Sequence, residues 1–329
     1  VHVREIAPGA MRDSITAALA SGVLPDLCVL DSTAMPALLE HGDLSDWSAG
    51  VADLRDSLAG WEVCRVGDAL YGTPWLAAPR MFVYDRVRFA RAKLDPAATL
   101  DSWEAFSREA AKLRRAGGAP AFGFAGDALY AACLPALAAD DSMRWDDAPR
   151  VSALESLVRL RAQGIVAAQD SIEHVFERGA LSVIVAGPEF ARRVSGHANV
   201  AFAPLPGPDS ARVSPAPCLA LASCEHSRHK EGALRFARAL NSQFEAGELA
   251  ARFPGWVPAR RVAPAAAAAD AGFAAQVSRA VFAPATAAEA TRRVVLEGAF
   301  RAALVQGLPV RASLATAQAT LDSLAGVHP

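Results

Sequence analysis

The sequence predicts an α/β fold, in which buried strands alternate with amphipathic helices. Residues 27–30 and 181–186 are continuous apolar runs with the length and composition of buried strands. Residues 149–164 instead repeat leucine and valine at helical spacing, which predicts an amphipathic helix. The chain has 329 residues, which is enough for two domains of this kind or for one large one.

The N-terminal part predicts a strand, a helix, a second strand and a second helix. Residues 1–6 alternate apolar and polar side chains as a strand does, and residues 13–20 are predicted to form a short helix. The run at residues 27–30 is of the type found in parallel sheets, and we expect it to be buried there. Asp31-Ser32-Thr33 follows this run and can cap a helix that ends near His41.

The stretch from residue 67 to residue 118 contains a predicted hairpin, a strand and a long helix. Gly67-Asp68 is a turn dipeptide, and Leu70-Tyr71-Gly72 suits one arm of a short hairpin. Two prolines, at positions 74 and 79, prevent a continuous helix, and residues 81–84 form a compact β-type run. Asp101 or Ser102 is predicted to cap a helix that buries Phe106 and Leu113 and ends at Gly117-Gly118.

The remaining strands and helices are predicted from continuous or alternating apolar residues and from apolar residues at helical spacing, respectively. Strands are expected at residues 122–124, 181–186, 200–205 and 218–222, and helices at residues 149–164, 171–179, 227–240 and 311–324.

The composition excludes several classes of protein. Hydrophobic residues make up 52% and charged residues 21%, which is typical of a globular chain. The net charge of −2 gives no reason to expect a nucleic acid or an anionic membrane as partner. The sequence contains neither an apolar run of the roughly 18–20 residues that span a bilayer nor a signal sequence at its start.

The five cysteines do not have the spacing of a metal site or of a disulfide framework. Cys28 lies in a predicted strand and is interpreted as a small buried hydrophobic residue. Cys218 and Cys224 could meet across a turn, and their pairing stays open at this point.

The sequence gives little support to catalysis or to a metal centre. It contains no G-x-S-x-G, P-loop, G-x-G-x-x-G or H-E-x-x-H motif. Asp146-Asp147 is interpreted as a helix cap or a solvated pair. Glu225, His226 and His229 precede a predicted helix and are interpreted in the same way. We therefore expect no catalytic residue, no metal and no cofactor.

Several motifs occur in the order in which one family carries them. They are YG-x-P-W at residues 71–75, VYD at 83–85, SWEAF at 102–106, PLPG at 204–207 and G-x-x-P-A-R at 255–260. This series resembles the extracytoplasmic sugar-binding proteins of bacterial ABC importers, the maltose-binding-protein-like family. Asp85 stands where that family usually has asparagine, and Ser102 where it has threonine. Glu189 follows a Gly-Pro pair at a position that is commonly a sugar-stacking tryptophan in the family.

The resemblance implies a periplasmic binding protein type II fold, with two discontinuous lobes joined by a hinge and a ligand cleft between them. We expect residues 1–78 and 212–262 in the N-terminal lobe and residues 79–211 and 263–329 in the C-terminal lobe. The family normally begins with a strand and a long helix before the equivalent of Val1. Three explanations for the missing segment are open. The sequence is an excerpt, its start was assigned too far along the chain, or the protein is a degenerate relative of the family. A periplasmic or extracytoplasmic location is implied, although this chain shows no signal peptide.

A sugar-binding site needs flat aromatic faces and directional hydrogen-bonding groups. Trp75 and Trp256 are the proposed stacking residues, each against the alternative of a core tryptophan. The proposed polar partners and loop contacts are Asp31, Arg80, Asp127, Tyr130 and Glu189. Asp31 can also cap a helix, Arg80 can form a salt bridge at the hinge, and Glu189 can act through the helix dipole alone.

The function implied by the resemblance is transport. The protein is expected to be a monomer that binds a carbohydrate and delivers it to the permease subunits of an ABC transporter by hinge closure. A ligand-sensing protein and a binder of a non-sugar polar or anionic solute remain alternatives, and Arg80 would suit an anion. A glycoside hydrolase is the more distant alternative.

Overall fold

The computed structural model describes residues 2–6, 11–22, 25–31, 34–118, 120–124, 144–168, 171–206, 214–242, 245, 248, 252–253, 255–262, 268–284 and 286–326. The chain forms two compact units, each built from two segments of the sequence. The first contains Val1–Ala78 and Ala216–Ala290, and the second contains Pro79–Pro215 and Thr291–Pro329. The sequence analysis placed the second and third transitions earlier, after residues 211 and 262.

The strands are β1 Leu27–Asp31, β2 Arg65–Val66, β3 Ala69–Leu70, β4 Thr73–Ala77, β5 Met81–Asp85, β6 Phe122–Phe124, β7 Val166–Ala168, β8 Val183–Ala186, β9 Val200–Pro204, β10 Ser214–Pro215, β11 Cys218–Ser223, β12 Val257–Pro258 and β13 Ala280–Val281. The α-helices are α1 Met11–Ser21, α2 Met35–Glu40, α3 Arg86–Ala92, α4 Pro96–Thr99, α5 Trp103–Gly117, α6 Ala148–Ala162, α7 Ile172–Glu177, α8 Pro188–Val194, α9 Lys230–Leu240, α10 Ala268–Gln276, α11 Ala287–Leu304 and α12 Val310–Gly326. Short 3₁₀ helices cover Ala52–Leu54, Trp61–Val63 and Val277–Arg279.

The first unit is organised around a four-stranded sheet in the order β1-β11-β4-β12. All of its neighbouring strands are antiparallel, so that β1 and β4 run in the same direction on either side of β11. Its core includes three tryptophans, Trp47, Trp61 and Trp75. The third chain transition lies later than predicted because α10 buries Phe273 and because Phe282 lies beside Gly60 of this unit.

The second unit contains a five-stranded mixed sheet in the order β7-β6-β8-β5-β9. The strand β6 pairs in parallel with β7 and β8, whereas β5 pairs antiparallel with β8 and β9. The C-terminal helices contribute Leu296, Phe300 and Leu314 to the same core as Phe82 and Phe106. The unit is therefore completed by residues that lie far away in the sequence.

Two predictions about the N-terminal segment are wrong. Residues 2–6 form no strand; they are mostly exposed and pair with no strand in the described part of the chain. The strand at residues 27–31 forms, but it pairs antiparallel with β11 and alternates half-buried and buried residues. A continuous apolar run therefore does not distinguish a parallel strand from an antiparallel one.

Candidate functional site

Two of the predicted ligand-binding residues, Asp31 and Trp256, lie at the edge of the first unit's sheet where β1 and β4 end, and Trp75 lies within β4. Asp31 ends β1 and pairs with Leu219, which in turn pairs with Leu76 of β4. The carboxyl ends of β1 and β4 therefore meet at the same edge. Trp256 directly precedes Val257, which pairs with Ala77 at that edge. Ligands of α/β proteins commonly bind beyond the carboxyl ends of strands, so this edge is a candidate binding surface.

The carboxylate of Asp31 has a structural role at this edge. Its Oδ1 accepts a hydrogen bond of 2.8 Å from the backbone N–H of Ala34, immediately before α2. The carboxylate therefore holds the turn before the helix, whereas the N-cap position itself is occupied by Ala34, which has no side-chain capping hydrogen bond. Asp31 is only half-buried, which leaves its carboxylate partly exposed to solvent.

Trp75 lies in β4 and is almost completely buried, with 6% of its surface exposed. Its ring contacts Phe253 edge to face, at 5.6 Å between ring centroids and an interplanar angle of 73°. Its indole Nε1–H is buried and has no hydrogen-bond partner among the described residues. A buried donor without a partner costs about 1–3 kcal/mol, so this N–H destabilises the core of the first unit in the free protein.

Trp75, Phe253, which contacts its ring, and the nearby Trp256 are called the aromatic group of the first unit. Trp256 is half-buried and packs against the same core, and its backbone N–H donates to the carbonyl of Phe253. The intervening Gly255 has a φ of 96°, which favours glycine because it lacks a Cβ. Phe253 is 42% exposed and was missed by the sequence analysis, which considered this segment only from Gly255 onward.

Two further predicted residues lie at one edge of the sheet in the second unit. Arg80 precedes Met81, which pairs with Ala186 at the end of β8. The backbone N–H of Arg80 donates to the hydroxyl of the buried Ser214 at 2.7 Å, and that hydroxyl donates to the carbonyl of Arg80 at 2.8 Å. This reciprocal pair fixes the backbone at the start of β5.

The guanidinium of Arg80 lies over Gly187, at the N-terminus of α8. A Cβ at position 187 would lie 2.6 Å from the Nη1 atom of Arg80, so glycine leaves room for the charged group. Glu189 lies in the first turn of α8 and is exposed. Its position agrees both with a favourable interaction with the helix dipole and with a hydroxyl acceptor.

Asp127 and Tyr130 lie outside the described residues. Their predicted ligand contacts therefore stay predictions.

The acidic residues have structural partners, whereas His229 lies at the N-cap of α9 without a side-chain capping hydrogen bond. Asp147 caps α6 by accepting from the backbone N–H of Arg150, and Asp146 pairs with Arg144 at 3.0 Å. Glu225 accepts from Lys230 at 2.6 Å. The part of the chain that the structure describes contains no group of three or more His, Cys, Asp or Glu residues that could hold a metal ion. No described helix is long and apolar enough to cross a membrane.

Arg260 secures the loop after β12, as the sequence analysis expected. Its guanidinium donates to the backbone carbonyl of Asn241. The side-chain amide of Asn241 in turn donates to the hydroxyl of Thr73 at 3.0 Å, at the start of β4. This chain of buried hydrogen bonds holds the strand that carries Trp75.

The comparisons with solved structures show the fold. The sugar-binding protein MalE of Xanthomonas citri matches with a TM-score of 0.84 and 21% identity, over 98% of this chain and 89% of that one. The cyclic α-maltosyl-1,6-maltose binding protein of Arthrobacter globiformis matches with a TM-score of 0.82 and 17% identity, over 97% and 89%. UgpB of Mycobacterium tuberculosis, solved with glycerophosphocholine, matches with a TM-score of 0.80 and 19% identity, over 97% and 88%.

The comparison with curated proteins gives no match. Residues 1–276, which are most of the sequence, match the family described as bacterial extracellular solute-binding protein. The chain is a member of the bacterial extracellular solute-binding protein family.

Proposed function

We propose that this protein binds a carbohydrate and delivers it to the permease of an ABC transporter. Asp31, Trp75 and Trp256 contact the ligand from the first unit, and Arg80 and Glu189 contact it from the second. Asp127 and Tyr130 are retained as contacts in this proposal. A ligand that touches both units stabilises the closed state, because some of its contacts exist only in that state. The permease then recognises the closed protein.

The observation that carries the proposal is the aromatic group at the sheet edge of the first unit. The rings of Trp75 and Phe253 are in contact, Trp256 packs against the same core, and the Nε1–H of Trp75 has no partner among the described residues. An aromatic contact contributes about 0.5–1.5 kcal/mol beyond burial. A hydrogen bond to a charged group contributes about 1.5–3 kcal/mol. Two rings and three or four polar contacts therefore supply the roughly −8 kcal/mol of a micromolar complex.

A second candidate is a polar solute that carries a negative charge. Arg80 supports it, because its guanidinium lies at the sheet edge of the second unit beside the N-terminus of α8, where an anion is favourable. The similarity to UgpB, which was solved with glycerophosphocholine, agrees with this candidate. A sensing role, in which closure is passed to a signalling partner, uses the same site.

The proposal assigns no catalytic step to the protein. We expect a monomer that binds no nucleic acid and functions outside the cytoplasm, and membership of the extracellular family supports this location. Hydrolysis of a glycoside by the purified protein would contradict this part of the proposal.

A titration followed by tryptophan fluorescence and by thermal unfolding tests the ligand class. The panel contains mono- and oligosaccharides, polyols, sugar acids and phosphodiesters. We expect a saturable response to a sugar that Trp75→Ala abolishes and Trp75→Phe weakens. Trp47→Phe is the matched control, because Trp47 lies in the same core and already donates to Ser223.

Two other results have clear meanings. A response confined to anionic compounds that Arg80→Gln removes would establish the second candidate. If the folded protein responds to no compound in the panel, both candidate ligand classes are rejected.

A further inference from the structure

Two buried cysteines from distant parts of the chain touch each other in the first unit. The Sγ atoms of Cys28 and Cys224 are 3.8 Å apart, although the residues are separated by 196 positions in the sequence. Both are thiols, as are Cys64 and Cys218. Cys28 is 9% exposed and Cys224 is fully buried.

The register of the sheet explains why these two sulfurs meet. Cys28 in β1 pairs with Ala222 in β11, and Cys224 lies two residues beyond Ala222. Side chains two residues apart point to the same face of a strand, so Cys28 and Cys224 are diagonal neighbours on one face. Beyond the end of β11, the backbone of Cys224 pairs with that of Leu44.

The same geometry argues against the pairing that the sequence left open. Cys218 and Cys224 flank β11, with Cys218 at its start and Cys224 immediately after its end. An extended strand advances about 3.3 Å per residue, which separates the ends of this strand far beyond the reach of a disulfide.

A hydrogen bond between the two sulfurs couples the two thiols. The hydrogen bond between the two sulfurs lowers the pKa of the Cys224 thiol, because the S–H of Cys28 stabilises its thiolate. The same hydrogen bond, together with burial, raises the pKa of Cys28. The thiolate is the species that attacks a disulfide, and the two sulfurs are close enough for one cysteine to attack a mixed disulfide formed at the other.

We propose that Cys28 and Cys224 form an intramolecular disulfide in the oxidising compartment where an extracellular protein functions. The oxidant is a disulfide, either of a protein or of a small thiol compound. While the chain folds and both sulfurs are still accessible, the thiolate of one cysteine attacks one of the oxidant's sulfurs, forming a mixed disulfide and releasing one thiolate. The other cysteine, once deprotonated, attacks the protein sulfur of the mixed disulfide and releases the second. The protein loses two protons and two electrons, and the oxidant is reduced to two thiols.

This bond links β1, which ends in Asp31, to the central strand β11. It closes the loop from residue 28 to residue 224, within which the chain passes from the first unit to the second and back. Linking residues so far apart in the sequence strongly restricts the unfolded state. The two sulfurs approach from 3.8 Å to about 2 Å. The proposal depends on the family's location and on this geometry, and not on the identity of the ligand.

Peptide mapping tests the bond directly. The full-length protein is reduced, unfolded and refolded in a mixture of oxidised and reduced glutathione, its free thiols are then blocked with N-ethylmaleimide in denaturant, and it is digested without reduction for mass spectrometry. We expect the peptide of Cys28 to be linked to that of Cys224. Blocked thiols at both positions, or a bond between Cys218 and Cys224, would overturn the proposal.

Thermal unfolding gives a second readout. Reduction is expected to lower the unfolding midpoint of the oxidised protein by roughly 5–10 °C. Cys28→Ala and Cys28→Val should abolish this difference, whereas Cys64→Ala should preserve it. A midpoint that is unchanged by reduction in the wild-type protein would also contradict the bond.

Discussion

At the scale of single residues, the first unit contains two buried tryptophans that differ in one hydrogen bond. Trp47 donates its Nε1–H to the hydroxyl of Ser223 at 2.9 Å. The Nε1–H of Trp75 has no partner among the described residues. The two rings belong to the same core and are almost equally buried, so a comparison between them isolates the effect of the N–H group.

Replacing each ring by phenylalanine should give different losses of stability. Trp47→Phe leaves the buried hydroxyl of Ser223 without its donor, and we expect the free energy of unfolding to fall by about 1–3 kcal/mol beyond the loss from the smaller ring. Trp75→Phe also shrinks the ring, but it removes an unpaired donor and should cost less. Urea unfolding of both variants without ligand measures the difference. Equal losses would show that Trp75 has a partner in the free protein.

The types of residue in the candidate site were predictable from the sequence, whereas their surroundings were not. Trp75, Arg80 and Trp256 were selected because each is a bulky or charged residue beside a proline or a glycine, where such a side chain indicates a functional or structural contact. Phe253 follows an alanine-containing stretch and lies three residues before Trp256, and only the fold brings it against Trp75. The reciprocal hydrogen bonds of Ser214 with Arg80 likewise join positions that sequence patterns cannot relate.

At the scale of elements, the glycine of the YG-x-P-W motif is explained by the pairing of β4 with β11. A Cβ on Gly72 would lie 2.4 Å from the carbonyl oxygen of Leu221. That oxygen belongs to the backbone of the central strand and cannot rotate away as a side chain can. The motif therefore marks a close approach between two strands, which brings the chain into register just before Trp75.

Gly72→Ala should therefore disturb the sheet of the first unit. We expect a loss of about 1–3 kcal/mol or more, because the strands must separate to admit the methyl group. Gly232→Ala is the matched control: it lies in α9 with open space around the position of its Cβ, and it should be neutral or stabilising by up to about 1 kcal/mol. Thermal unfolding compares the two variants. An equally mild effect of both would mean that β4 and β11 adjust at little cost.

Local signals identified most of the described elements, but not how the strands pair. Ser102 caps α5 by accepting from the backbone N–H of Ala105, and Gly118 ends the helix with a φ of 64°, both as predicted. The turn at Gly67 joins β2 and β3. The direction of β1 was wrong because it depends on β11, which lies almost two hundred residues away in the sequence. Patterns over a few residues hold no information about such a partner.

At the scale of the whole molecule, each compact unit is made of two sequence segments. The C-terminal segment of the chain, Thr291–Pro329, completes the second unit. Phe300 of α11 is fully buried and contacts Trp145 at 6.3 Å between ring centroids. Gln318 of α12 accepts the backbone N–H of Trp145 at 2.7 Å. The family match ends at residue 276, before both helices begin, so the matched span by itself lacks part of this core.

A chain that ends at residue 290 should therefore contain an unstable second unit, because its core loses Leu296, Phe300 and Leu314 together. We expect faster hydrogen exchange in β5 and β8. In the full-length chain, Phe300→Ala should cost about 3–5 kcal/mol. Val294→Ala on the same helix should change stability by no more than about 0.5 kcal/mol, because Val294 is 69% exposed. Native protection of β5 and β8 in the shortened chain would show that the C-terminal helices pack on a core that is already complete.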